Sequence, residues 1–175
     1  YLKENRRNLA LGTGHIEQDK LPYNEIRFYK EGNFQKYSAK QLLTHGPDFM
    51  GEYHFYVPGV KLETYDLAPN VRAGALICND AWAYPLASPN GNPYYWRTLR
   101  EMGCNIVFVS ANCTMDVKDE VVYNFHESML RIMAKSYNMH VVVSSACTDM
   151  NGVVVQHVQA PSGIISDTGE WIVKC

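Results

Sequence analysis

Arg72-Ala73-Gly74-Ala75-Leu76-Ile77-Cys78-Asn79-Asp80-Ala81-Trp82-Ala83-Tyr84-Pro85 opens on an uncharged apolar run, Ala73 to Ile77, and then breaks into Cys78-Asn79-Asp80. A short, bounded apolar run predicts a buried strand. Asn79 and Asp80 cannot continue it. A thiol at the end of such a strand stands on rigid scaffold with loops above it, which is how a nucleophile is held for attack. On the strand alone an inert, structural cysteine is the first reading, because free cysteine is among the most buried residue types.

Beyond this stretch, the 175 residues fit one domain, 1–175, or part of one. The chain begins at Tyr1 rather than Met, so an upstream start is expected. Hydrophobic content of 46% and charged content of 19% predict a packed globular chain, not a disordered one. Net charge is −2 with no basic block, which offers nothing to nucleic acid or an anionic membrane. No apolar run approaches transmembrane length, and no signal-peptide pattern opens the chain. The five cysteines (Cys78, Cys104, Cys113, Cys147, Cys175) are an odd number without a CxxC pair. That predicts reduced thiols in a cytoplasmic protein, not a disulfide framework or a zinc site.

Leu9 to Gly14 reads as a short buried strand closing on glycines, and His15 to Leu21 as a polar loop. Tyr23 to Tyr29 alternates as a strand should, Glu31-Gly32-Asn33 turns, and Phe34 to Tyr37 returns. Ser38 to Tyr56 is long, irregular and rich in polar and aromatic residues, and loops of that length inside a domain tend to be functional. Val60 to Leu67 alternates again. Leu86 to Pro93 is a loop, and Tyr94 to Met102 a helix stopped by Gly103. Asn105 to Ser110 and His140 to Ala146 read as buried strands. They flank a helix from Val121 to Tyr137 whose apolar face carries Val122, Phe125, Met129, Ile132 or Met133, and Ser136. Thr148 to Gly152 is a turn. Val153 to Val158, Ser162 to Asp167 and Glu170 to Lys174 form an antiparallel set. Helices between central strands and hairpins at both ends predict an α/β architecture with a mixed sheet.

A cysteine nucleophile needs a lowered thiol pKa or an adjacent base, and acyl transfer needs donors aimed at the developing oxyanion. The long loop offers Lys40 among apolar neighbours and Glu52 before Tyr53-His54-Phe55-Tyr56-Val57-Pro58-Gly59.

Order and spacing now resemble a known family, the carbon–nitrogen hydrolase (nitrilase) superfamily. The family's cysteine element is a buried strand, Cys, one residue, Asp, then an aromatic and Pro, and Leu76 to Pro85 is similar to it. Tyr37 with Lys40-Gln41-Leu42-Leu43 resembles its lysine element, and Glu52 to Gly59 the glutamate segment between. Gly103 to Val109, Phe125 through Val143, and Ala160 to Gly169 resemble later elements, so the likeness spans nearly the whole chain.

The resemblance implies an α-β-β-α sandwich and a hydrolase cleaving a non-peptide carbon–nitrogen bond, amide or nitrile. It makes Cys78 the attacking group, with Lys40 and the backbone N–H of Asn79 stabilising the tetrahedral intermediate and Glu52 holding Lys40. Read by themselves, Trp82 and Tyr84 are candidates either to wall the substrate pocket or to fill the core, and Asn112, past a strand end, either to line the pocket or to serve as a turn residue. The family needs no metal or organic cofactor, and the six histidines show no ligand spacing. Homodimers or larger assemblies are implied. The family's general-base glutamate follows an early strand in a Pro-Glu element. None of Glu4, Glu17, Glu25 or Glu31 fits that pattern, so the base, the first strands and a helix are expected upstream of this chain. Leu86 to Tyr95 is longer than the family's equivalent. Two rival readings are a catalytically silent, partner-binding member of the fold and an acyltransferase on the same fold.

Overall fold

The apolar run is β5 (Val71–Ile77), buried continuously from Ala73 to Ile77. The computed structural model describes residues 4, 7–15, 20–45, 51–83, 92, 94–112, 125–146 and 160–175. Its other elements are β1 (Leu9–His15), β2 (Tyr23–Lys30), β3 (Asn33–Ala39), β4 (Thr64–Ala68), α1 (Tyr95–Glu101), β6 (Ile106–Ala111), α2 (Phe125–Tyr137), β7 (His140–Ser145), β8 (Gly163–Ile165) and β9 (Trp171–Lys174).

Two sheets form. A three-stranded sheet has the order β1-β2-β3, and a six-stranded sheet the order β4-β5-β6-β7-β8-β9. In the larger sheet β5, β6 and β7 are parallel, and hairpin-type antiparallel pairs flank them on both sides. Parallel neighbours need crossovers. Here α1 lies between β5 and β6 in the chain, and α2 between β6 and β7. One core joins both helices to the larger sheet: Trp96, Leu99, Leu130 and Ala134 pack with Leu76, Val107, Val109, Val141 and Val143. The second core lies between the sheets, where Ile26 and Phe28 of β2 meet Tyr65, Ala75 and Ile77. The layers are therefore helices, large sheet, small sheet, and among the described residues the helices lie on one side only. None of those helices is long and apolar enough to cross a membrane.

Local chemistry explains the β2–β3 turn and the end of α1. The β2–β3 turn places Glu31 at φ 48° and Gly32 at φ 79°, the two positive values that a tight hairpin demands. Gly103, at φ 85°, ends α1, and Cys104 N–H closes back on Leu99 O at 3.0 Å.

Three expectations are corrected. β1 is not buried, with Leu11 44% exposed, because it pairs with β2 along one edge and no described element covers its outer face. Val60 to Glu63 is not strand: Val60 is 91% exposed, and pairing with β5 starts at Thr64 opposite Gly74. The buried stripe of α2 centres on Leu130 and Ala134, flanked by Phe125, Met129, Met133 and Tyr137, whereas Ile132 is exposed. The packing partner, not the hydrophobicity of the helix alone, decides which side turns inward. The expected turn at 148–152, the strand at 153–158, most of the loop at 86–93 and the first four residues of the long helix, 121–124, lie outside the described residues.

Candidate active site

Cys78 opens a 3-10 turn, Cys78–Ala81, at the end of β5. Ile77 is still extended, but Cys78 swings to φ 50°. A residue with a Cβ avoids that left-handed region unless its surroundings enforce it, and such strain concentrates at functional positions. The thiol is partly exposed, unlike that of Cys104, which is fully buried.

Lys40 comes from the other sheet, one residue past β3. Its backbone is pinned at both ends: its N–H donates to Asn24 O (2.8 Å) and its carbonyl accepts from Gly59 N–H (2.7 Å). The side chain is 1% exposed, and Nζ stands 2.5 Å from Glu52 Oε2. A buried ammonium needs a close counter-charge to offset its lost hydration. Glu52 begins the 3-10 turn Glu52–His54. Its Oε2 also accepts the backbone N–H (2.8 Å) and hydroxyl (3.0 Å) of Thr44. The three bonds on one oxygen fix the carboxylate and, through it, the lysine.

Asp80 connects the two segments. Its Oδ1 accepts the N–H groups of Leu42 (2.7 Å) and Gln41 (3.1 Å), and its Oδ2 that of Ile77 (3.2 Å). Burial pushes this carboxyl up to about 6, against the opposing pull of the Leu42 N–H, the Lys40 charge and the Ile77 and Gln41 N–H groups. The Lys40 charge therefore reaches into the turn that carries Cys78. Asn79 is 1% exposed, and its Nδ2 donates to Leu42 O at 3.4 Å. Tyr95, in the first turn of α1, donates its hydroxyl to Gln41 Oε1 at 3.3 Å. Burial and then the Asp80 charge push that phenol up to about 12.

The structure thus brings Lys40, Glu52 and the Cys78 turn together from three separate stretches. Trp82 lies in the helix-side core, 8% exposed, its ring 4.3 Å from that of His126. Asn112 is exposed just past β6. Tyr84 lies outside the described residues, as do Cys113 and Cys147. Glu127 ties α2 to β9 by accepting from Trp171 Nε1 (2.8 Å) and Lys174 Nζ (2.9 Å). Glu25 is buried but shares a face with Thr13 and Ala39, and Arg27 binds its carboxylate. Ile26 and its partner Ser38 alternate onto the opposite face, toward the inter-sheet core. Burial pushes the Cys104 thiol up to about 11, as a structural cysteine requires.

Sequence reasoning gave no role to Thr44 and left Asp80 as a motif letter. The one available signal was a carboxylate two residues past a strand-end cysteine, in a stretch otherwise too apolar to hold it uncompensated. Ser110 was also passed over. On β6 it faces the small sheet, where a Cβ placed on Gly12 would stand 3.1 Å from its Oγ.

No protein-family model matches the sequence, and no curated protein does either. Solved structures do match. A carbon–nitrogen hydrolase from Helicobacter pylori G27 superposes with a TM-score of 0.77 at 16% identity, covering 99% of this chain and 59% of that one. An amidase of the nitrilase superfamily from Nesterenkonia AN1 gives 0.75 at 15% identity, with 99% and 59% covered. A variant of the Nesterenkonia sp. AN1 amidase holds the acetamide moiety of fluoroacetamide covalently at its active-site cysteine. A glutamine-dependent NAD+ synthetase from Acinetobacter baumannii gives 0.74 at 17% identity, covering 96% of this chain and 29% of that one. The chain thus spans 59% of the hydrolase and amidase chains and 29% of the synthetase. With two facing sheets, helices against the larger one and a cysteine turn at the end of its β5, the chain has the fold of the carbon–nitrogen hydrolase, or nitrilase, superfamily.

Proposed function

We propose that this chain carries the active site of a hydrolase for a non-peptide carbon–nitrogen bond in a small amide or nitrile. Cys78 is the nucleophile. For an amide, Sγ attacks the carbonyl carbon, the C–N bond breaks, and the amine leaves with the thiol proton. Water then attacks the thioester, releasing the acid and restoring the thiol. Lys40 and the backbone N–H of Asn79 face the negative charge that develops on the substrate oxygen, and Glu52 holds Lys40 for that task. Asn112 is a candidate to line the pocket, as are Trp82 and Tyr84.

The observation that supports this reading best is the buried Lys40–Glu52 pair, 2.5 Å apart and 1% exposed at the lysine, whose next two residues, Gln41 and Leu42, are bound by Asp80 in the turn that opens on Cys78 at φ 50°. A lysine kept out of water by a glutamate has little structural advantage over an apolar residue of similar size. The experiment is competitive alkylation with iodoacetamide at neutral pH, read by peptide mass. Cys78 should react well ahead of Cys175, which is merely exposed, and far ahead of Cys104. Lys40→Met should remove turnover on an amide panel by a factor of about 100 or more, the usual cost of losing an oxyanion donor. Equal labelling of Cys78 and Cys175, or full turnover in the Lys40 variant, rejects the assignment.

A further inference from the structure

The residues that follow Cys78 grip the residues that follow Lys40. Asp80 takes the N–H groups of Gln41 and Leu42 on one oxygen at 3.1 and 2.7 Å, and the Ile77 N–H on the other at 3.2 Å. From the neighbouring position, Asn79 Nδ2 reaches the Leu42 carbonyl at 3.4 Å. Both side chains are buried, Asn79 at 1% and Asp80 at 4% exposure. The two segments are separated by 37 to 39 residues and follow strands of different sheets. A neutral side chain would bury more cheaply than a carboxylate here, so the charge needs a reason.

We propose that Asn79 and Asp80 are positioning residues: they dock the Gln41–Leu42 backbone onto the nucleophile turn and thereby set where the Lys40 ammonium stands relative to the Cys78 sulfur. This inference rests on the assignment of Cys78 and Lys40 given above. Neither residue needs to touch substrate for this purpose through its side chain. Asp80 acts by accepting three backbone donors at once, which only an ionised carboxylate does without presenting a donor of its own. In Asp80→Asn the amide nitrogen would face either the Ile77 N–H or the Gln41 and Leu42 N–H pair, donor against donor, so one limb of the dock is lost in any rotamer.

Two opposite effects make the test decisive. Loss of the Asp80 charge by itself favours the Cys78 thiolate and speeds alkylation. Loss of the dock lets the lysine drift and slows it. Iodoacetamide alkylation of Cys78 is followed from pH 5 to 9 in the wild type, Asp80→Asn, Lys40→Met and the double variant, with near-ultraviolet circular dichroism as the check of folding. The expected result is that Asp80→Asn slows alkylation at pH 7 about tenfold, equivalent to one unit in thiol pKa, and adds no slowing in the Lys40→Met background. Asn79→Ala, which keeps the charge and removes the other limb, should slow the reaction in the same direction and with the same dependence on Lys40. It carries the test if Asp80→Asn does not fold.

Unchanged or faster alkylation in Asp80→Asn overturns the proposal while leaving the nucleophile assignment standing. Equal slowing with and without Lys40 also overturns it, by marking a purely structural role. If Cys78 in the wild type reacts no faster than Cys175, the active-site assignment itself falls and the proposal with it.

Discussion

Asp80 is the residue at which stability and geometry conflict. Its carboxyl, raised from 3.8 to about 6 by burial, binds a proton in the folded chain over a pH range in which the unfolded chain has released it. Its contribution to stability is therefore greatest below pH 4 and is lost as the pH rises through about 6, at a cost of about 3 kcal/mol by pH 7. Urea unfolding measured at pH 4 and pH 7 checks this. The stability of the wild type relative to Asp80→Asn should fall across that interval, and a flat difference would mean that water reaches the carboxylate. The same carboxylate, once ionised, accepts all three backbone N–H groups, so the pH that weakens the fold is the pH at which the dock is complete. Lys40 and Glu52 show the related trade: an isolated buried charge is expensive, and Thr44 adds two donors to the oxygen that holds the lysine.

At the scale of elements, the join between β3 and the segment ahead of β4 sets where Lys40 emerges. Gly59 donates to the Lys40 carbonyl at 2.7 Å. A Cβ there would stand 2.5 Å from Ala39 O and 3.0 Å from Ala39 C, both backbone atoms that cannot rotate away. Gly59→Ala should lower stability by about 1–3 kcal/mol, as overpacking does. It should also depress turnover, because the strain falls on the residue next to the lysine. Thermal unfolding and the amide assay measure the two effects separately. A variant with unchanged melting temperature would show that the 59–63 segment can lift off β3. The α2 helix makes a complementary point. Its sequence has apolar residues around much of its circumference, and only the positions of β7, β8 and α1 select Leu130 and Ala134 for burial and leave Ile132 outside.

For the whole molecule, the relation between the sheets decides how the candidate residues meet, since Lys40 follows a strand of one and Cys78 a strand of the other. Phe28 bolts them together: 1% exposed, it stacks on Tyr65 at 5.1 Å between ring centroids and meets the Phe108 edge at 5.8 Å. Phe28→Ala should cost about 3–5 kcal/mol by chemical denaturation. Ile132→Ala, at a residue 54% exposed on the outer side of α2, should stay within about 0.5 kcal/mol. Similar losses at the two positions would mean that the inter-sheet core is not what holds the halves in register.

Strand periodicity, hairpin signals and helix stops follow rules of local spacing. For that reason β2, β3, β5, β6, β7 and α1 could be read from the chain with boundaries within a residue or two, and the resemblance in order and spacing offered Cys78, Lys40 and Glu52 as candidates for the site. Burial of β1, the start of β4 and the inward side of α2 could not, because each depends on which surface arrives to cover it. Side-chain contacts across dozens of residues were equally out of reach. Nothing in the sequence near Asp80 announces Gln41 and Leu42, and nothing near Trp82 announces His126. Local covalent chemistry determines which residues are available for catalysis. Only the closing of two sheets on each other brings the segment after Lys40 onto the turn that opens at Cys78, because that approach is a property of packed layers and not of neighbours along the chain.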